Sequence, residues 1–237
     1  TVFRDMRLGR ADFAGARRYR TQWLRCDLRG TQGVEPGLPG SLLALCRPES
    51  IQVALPLSRP APRAAALTGH RGLVNGCAWS PDGGRLASAG ADGAVRVWDA
   101  ASGECLRVLE GHGDVVRGCA WSPDGGRLAS AGADGAVRVW DAASGECLRV
   151  LEGHGDVVMG CAWSPDGGRL ASAGDDDTVR VWDAASGECL RVLEGHGDVV
   201  RGCAWSPDGG RLASAGADRA VRVWDAASGE CLRVLEG

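Results

Sequence analysis

The chain has 237 residues, enough for one large domain or two small ones. Hydrophobic residues make up 44% and charged residues 24%, which supplies a buried core and excludes a mostly disordered chain. A formal charge of −3 argues against a general nucleic-acid binder, and no apolar run approaches the roughly 18 to 20 residues of a membrane span, so neither nucleic acid nor membrane is expected as a partner.

All 27 basic residues are Arg, while Ile, Tyr and Asn occur once each (Ile51, Tyr19, Asn75). Residues encoded by AT-rich codons are thus scarce, which points to a GC-rich, bacterial genome. Residues 1–63 carry 11 Arg against 5 acids, and residues 64–237 carry 16 Arg against 25. Two regions of opposite sign are expected.

Residues 1–32 fit a five-residue frame, with Phe3, Leu8, Phe13, Trp23 and Leu28 at its central position and Arg18 breaking it. Ala11-Asp12-Phe13-Ala14-Gly15 and Cys26-Asp27-Leu28-Arg29-Gly30 resemble pentapeptide repeats, which implies a right-handed β-helix with four units to a coil. An Arg-rich amphipathic helix through residues 10–25 is the rival reading. Residues 33–62 are rich in Pro and Gly, as in Pro56-Leu57-Ser58-Arg59-Pro60-Ala61-Pro62, and read as a linker with one strand over residues 51–55.

From residue 63 onward a 42-residue period dominates. Gly-His recurs at His70, His112, His154 and His196. Trp recurs at Trp79, Trp121, Trp163 and Trp205, and again at Trp98, Trp140, Trp182 and Trp224, where Asp always follows. The unit predicts four short strands; in the second copy they fall at residues 115–121, 127–131, 136–140 and 147–151. The turns between them are Ser122-Pro123-Asp124-Gly125, Gly132-Ala133-Asp134-Gly135 and Asp141-Ala142-Ala143-Ser144-Gly145. They place Pro where φ is preset and Gly where φ turns positive.

A period of 42 with Gly-His at one end and Trp-Asp at the other resembles the WD40 β-propeller family, four times over residues 63–237. The resemblance implies an all-β fold of four-stranded blades near residues 69–110, 111–152, 153–194 and 195–237, each first strand lining a central channel. Residues 63–68 align with the fourth strand of later units, so a spare fourth strand is expected to begin the array. WD-type blades are shaped for rings of seven or eight, so four copies imply part of a ring. Either further blades lie in a longer parent chain, or a homodimer completes an eight-bladed ring.

Each unit also repeats a His, a Ser, an Asp and a Trp: His70, Ser88, Asp92 and Trp98; His112, Ser130, Asp134 and Trp140; His154, Ser172, Asp176 and Trp182; His196, Ser214, Asp218 and Trp224. A Ser/His/Asp set invites a hydrolase reading. Four copies on four blades do not converge on one pocket, however, and Gly-x-Ser-x-Gly, Walker and His-Glu-x-x-His signatures are missing from the sequence. The resemblance implies instead a structural tetrad, hydrogen-bonded in series between strands and turns, and a chain that is not an enzyme. Cys77, Cys119, Cys161 and Cys203 fall on first strands, and Cys105, Cys147, Cys189 and Cys231 on fourth strands. Opposite edges of a blade are too far apart for a disulfide, and no Cys-x-x-Cys pair offers a zinc template. Free, buried thiols in a reducing cytoplasm are expected, with no metal and no cofactor.

The copies differ at few positions. Five residues after the His stand Asn75, Arg117, Met159 and Arg201. Around the tetrad Asp the third unit reads Asp175-Asp176-Asp177-Thr178 against Ala133-Asp134-Gly135-Ala136, and the fourth has Arg219. The first unit departs at Arg71, Gly72 and Leu73. In the family, the face carrying the Gly-His and tetrad-Asp loops is the usual partner-binding surface, with contacts three and five residues after the His and just before the Asp. That implies Leu73, Val115, Val157 and Val199, the variable set above, and Ala91, Ala133, Asp175 and Ala217, beside Asp177 and Arg219. Neutral drift at exposed positions is the competing reading. The expected function is a non-catalytic scaffold that binds a protein or peptide on this face. The alternative is a sensor or regulatory module of a larger signalling protein, an NTPase or kinase whose catalytic part lies outside this chain.

Overall fold

A computed structural model of the chain describes residues 66–237 and, as backbone, three short strands before them. Contacts divide the chain into two units, at Ala64 and Ala65. In the first unit, β1 (Val2–Arg4), β2 (Gln22–Leu24) and β3 (Leu42–Ala44) pair in parallel, Val2 with Gln22 and Gln22 with Leu42. Successive strands are thus 20 residues apart, the length of four five-residue units. β2 stands where the rival reading placed the end of a helix, and β3 lies within the stretch read as a linker. The remainder of both readings, including the strand over residues 51–55, lies outside the described residues.

The second unit is all-β: sixteen strands form four antiparallel sheets, each with its strands in chain order. The first blade holds β4 (Val74–Trp79), β5 (Arg85–Gly90), β6 (Ala94–Asp99) and β7 (Cys105–Glu110). The second holds β8 (Val116–Trp121), β9 (Arg127–Gly132), β10 (Val137–Asp141) and β11 (Cys147–Leu151). β12 (Val158–Trp163), β13 (Arg169–Gly174), β14 (Val179–Asp183) and β15 (Cys189–Leu193) make the third. β16 (Val200–Trp205), β17 (Arg211–Gly216), β18 (Ala220–Asp225) and β19 (Cys231–Glu236) make the fourth. Residues 66–68, within the stretch where a spare fourth strand was expected, are not in a strand. Among the described residues no helix is long and apolar enough to cross a membrane.

Side chains in the turns explain why the strands stop where they do. Ser122 Oγ accepts the Arg127 N–H at 2.9 Å and donates to Asp124 Oδ1, while Gly125 takes φ +68°. The Asp of Trp-Asp works the same way: Asp141 Oδ1 accepts the N–H groups of Ala143 and Ser144 at 3.0 and 2.7 Å.

Blades stack face to face in chain order. The face of the first that carries Ala87, Ala89, Val95, Val97 and Leu109 meets Val116, Trp121, Leu128, Trp140 and Ala142 of the second. Equivalent clusters join the second to the third and the third to the fourth. Polar groups pin each junction. The Arg85 guanidinium lies 4.6 Å over the Trp121 ring and donates to the Gly125 carbonyl at 2.9 Å, and Trp121 Nε1 donates to the Ala78 carbonyl at 3.0 Å. Arg127 with Trp163, and Arg169 with Trp205, repeat the arrangement at 4.6 and 4.7 Å.

Candidate functional site

Every blade assembles one chain of four hydrogen-bonded side chains. In the second blade Trp140 Nε1–H donates to Ser130 Oγ at 2.8 Å, Ser130 Oγ lies 2.7 Å from His112 Nε2, and His112 Nδ1 lies 3.0 Å from Asp134. An indole N–H only donates, so the serine proton goes to Nε2 and the imidazole donates through Nδ1. This order assigns a neutral imidazole with its proton on Nδ1. The same chain joins His70, Ser88, Asp92 and Trp98, then His154, Ser172, Asp176 and Trp182, then His196, Ser214, Asp218 and Trp224.

Electrostatics agree with that assignment. Burial pushes the His112 and His154 imidazoles below the ordinary histidine range, against the opposing pull of Asp134 and Asp176. Burial raises the Asp92 and Asp176 carboxyls, but hydrogen bonds outweigh it. The Arg71 N–H and His70 hold Asp92 down to about 2, and the Gly155 N–H, His154 and Thr178 do the same for Asp176. Ser130 and Ser172 are fully buried between an indole and an imidazole. The Ser-His-Asp order of a hydrolase therefore exists in space, yet the hydroxyl has no open side from which to meet a substrate.

A glycine that sequence reasoning passed over makes the tetrad possible. A Cβ at Gly174, the last residue of β13, would sit 2.5 Å from both Asp176 Oδ1 and His154 Nδ1. Gly90, Gly132 and Gly216 hold the same place in the other blades. The available signal was the Ser-Ala-Gly tripeptide, unchanged in all four copies.

The variable residues gather at the end of each sheet where the first strand begins and the second ends. Val158 pairs with Gly174 and Gly160 with Ala173, which leaves Met159 as the extra residue of a β-bulge. Asn75, Arg117 and Arg201 occupy the same bulge in their blades. A bulge re-aims the side chain it frees, and no sequence signal marked it. Asn75 differs from the others in being engaged: its Nδ2 donates to the Val116 carbonyl of the next blade at 2.9 Å. Backbone bonds tie the neighbouring loops together, since the carbonyls of Leu73, Val115, Val157 and Val199 accept the N–H groups of Ala91, Ala133, Asp175 and Ala217 at 2.8 Å. Leu73 is 77% exposed, whereas Val115, Val157 and Val199 are half-buried.

Gly93 and Gly135 follow the tetrad Asp with φ +76° and +77°; in the same place Asp177 and Arg219 take φ +61° and +66°. The left-handed region costs a residue with a Cβ about 1–2 kcal/mol. Thr178, also peculiar to the third blade, donates its hydroxyl to Asp176 Oδ1 at 2.8 Å.

The repeat cysteines are free. Burial pushes the Cys119 and Cys203 thiols up to about 12 and Cys161 well above its ordinary value, so all three stay protonated. Cys77, expected buried like the rest, is exposed, since among the described residues no blade lies against its strand, and the other seven are half-buried. Among the described residues no three His, Cys, Asp or Glu side chains group as metal ligands.

Comparison with known proteins finds the same period. The model of the WD domain, G-beta repeat, matches residues 62–99, 103–141, 145–183 and 187–225. The later matches each begin at the outer strand of one blade and end at the third strand of the next, so the repeat in sequence is staggered from the blade in space. Protein Mut11 of Chlamydomonas reinhardtii is 46% identical over 59 residues, 23% of this chain and 16% of that protein. Small ribosomal subunit protein RACK1 of Glycine max is 50% identical over 44 residues, 19% of this chain and 14% of that protein. The alignments thus span only a small part of either relative. Four family matches laid along four blades settle the classification, and the chain belongs to the WD40 repeat family.

Proposed function

We propose that the chain is an interaction scaffold that binds a protein or peptide where its Gly-His and tetrad-Asp loops meet. WD40 repeats generally serve as non-catalytic scaffolds for protein partners. The observation that carries the finer reading is where the copies differ. Outside the bulge, strands, tetrads and blade-to-blade faces are the same in every copy, while the substitutions fall on the bulge residues and the two loops beside them. Asp177 and Arg219 add that the chain tolerates backbone strain to present a charged side chain there, a cost that characterises functional positions. Met159 sits in the bulge of the third blade, with Arg117 and Arg201 in the bulges of the blades on either side and Asp175 and Asp177 in the loop after β13, so this face offers an apolar side chain and both signs of charge.

Peptides selected from a random display library against the chain test this reading. A variant carrying Met159→Arg, Asp175→Ala, Asp177→Gly and Thr178→Ala, which turns the third copy into the second, should bind them at least tenfold more weakly. Glu146→Ala, an exposed change near the outer strand, should leave binding unaltered. Equal affinity for all three proteins would refute the assignment of this face.

A further inference from the structure

The outer faces of the first and fourth blades are the two halves of one interface. Inside the chain that interface occurs three times, with Arg85, Arg127 or Arg169 on the leaving face and Trp121, Trp163 or Trp205 on the receiving face. Among the described residues nothing lies against the leaving half that the fourth blade carries. Val221 and Leu235 are 38% and 53% exposed where Val95 and Leu109 are buried, and a Cβ at Gly202 meets nothing within 4 Å, whereas one at Gly76 meets the Arg117 carbonyl at 3.4 Å. The first blade carries the receiving half, equally bare. Val74 is 56% exposed and Trp79 62%, where Val116, Val158 and Val200 are fully buried.

We propose that a second copy of this chain covers both ends, its first blade on the fourth blade of its partner and its fourth blade on the first, in a two-fold ring of eight blades. The proposal goes beyond the loop-face reading and does not depend on it. The choice of occupant rests on chemical identity. The fourth blade repeats the leaving-face residues of the third without a substitution, and the first repeats the Val, Trp and turn residues that the second uses to receive. Docking therefore reproduces contacts already present three times. Arg211 stacks over the second copy's Trp79 and donates to the Gly83 carbonyl there, and the Trp79 indole donates to the Ala204 carbonyl. Such a junction joins two different faces, and it closes when two copies each make it once. Closure takes both apolar sheet faces out of water and leaves no end open to further growth.

Light scattering of the full chain across a dilution series reads the outcome as mass. A species of twice 24.6 kDa is expected. Trp79→Ala and Arg211→Glu each alter a side chain that is exposed in the single chain, so circular dichroism should stay that of the unaltered protein while self-association weakens roughly thirtyfold or more. Mixing the two variants restores one intact junction, between Arg211 of the first and Trp79 of the second, and a two-chain species should reappear. A chain that is monomeric at every concentration overturns the proposal. So does a dimer abolished by Trp79→Ala but untouched by Arg211→Glu, open-ended growth in place of a defined dimer, or a mixture that stays monomeric.

Discussion

Trp163 and Trp79 are the same residue of the same repeat, yet Trp163 is 8% exposed and Trp79 62%. The contrast runs through the molecule: residues of the blade-to-blade faces are core or surface according to their place along the array. Tetrad side chains are largely buried in every blade, because their partners lie within the blade. Stability in such an array divides into a term for each blade and a term for each junction, and the two respond to different substitutions.

Truncating both tryptophans should separate core from surface most strongly. Trp163→Ala should cost about 3–5 kcal/mol, since it empties a packed junction and removes the partners of Arg127 and the Ala120 carbonyl. Trp79→Ala, measured by urea denaturation in dilute solution, should cost less than about 1 kcal/mol. Equal losses would mean that the first blade is not an open end. The tetrads should behave in the opposite way. Ser88→Ala and Ser172→Ala each strip the central hydroxyl from between an indole and an imidazole, and both should lower stability by about 1–3 kcal/mol regardless of blade. A large difference between them would show that the network leans on neighbouring blades.

Acid should loosen the tetrads in two stages, and the signs agree. His112 and His154 titrate below their unfolded value of 6.5, so the unfolded chain binds protons first; stability is complete above that pH and declines as pH falls below it. Asp92 and Asp176 titrate at about 2 against 3.8 unfolded, so their contribution is present above 3.8 and is lost as pH falls towards 2. With solvent screening at the rim, each carboxylate contributes about 1–2 kcal/mol. Thermal midpoints across pH 7 to 3 should fall throughout; a rise anywhere on acidification would contradict the neutral-imidazole assignment. The smallest effect distinguishes the blades from one another. Arg219→Gly and Asp177→Gly relieve a left-handed backbone and should each stabilise by about 0.5–1 kcal/mol, while Gly135→Arg does the reverse.

Much of this was legible in the residues. Turn chemistry, alternation and a strict 42-residue period are local signals repeated four times, so the strands and the tetrad members His, Ser, Asp and Trp could be read from spacing and from resemblance. Gly174 could have been found from its unchanged tripeptide, but its purpose depends on where an imidazole and a carboxylate approach across β13. The bulge at Met159 left no trace, because it is a shift of register between two strands. The bond from Asn75 to the Val116 carbonyl was hidden for a related reason, as it joins groups 41 residues apart that only blade stacking brings together.

What each repeat becomes is written in its own residues, since a blade's turns, pairing and polar chain are made from residues inside a single 42-residue period or its immediate neighbour. Tertiary structure alone decided which copies of an identical face are core and which meet water. Burial there depends on whether another sheet lies alongside, and no residue within the repeat encodes its own place in the array.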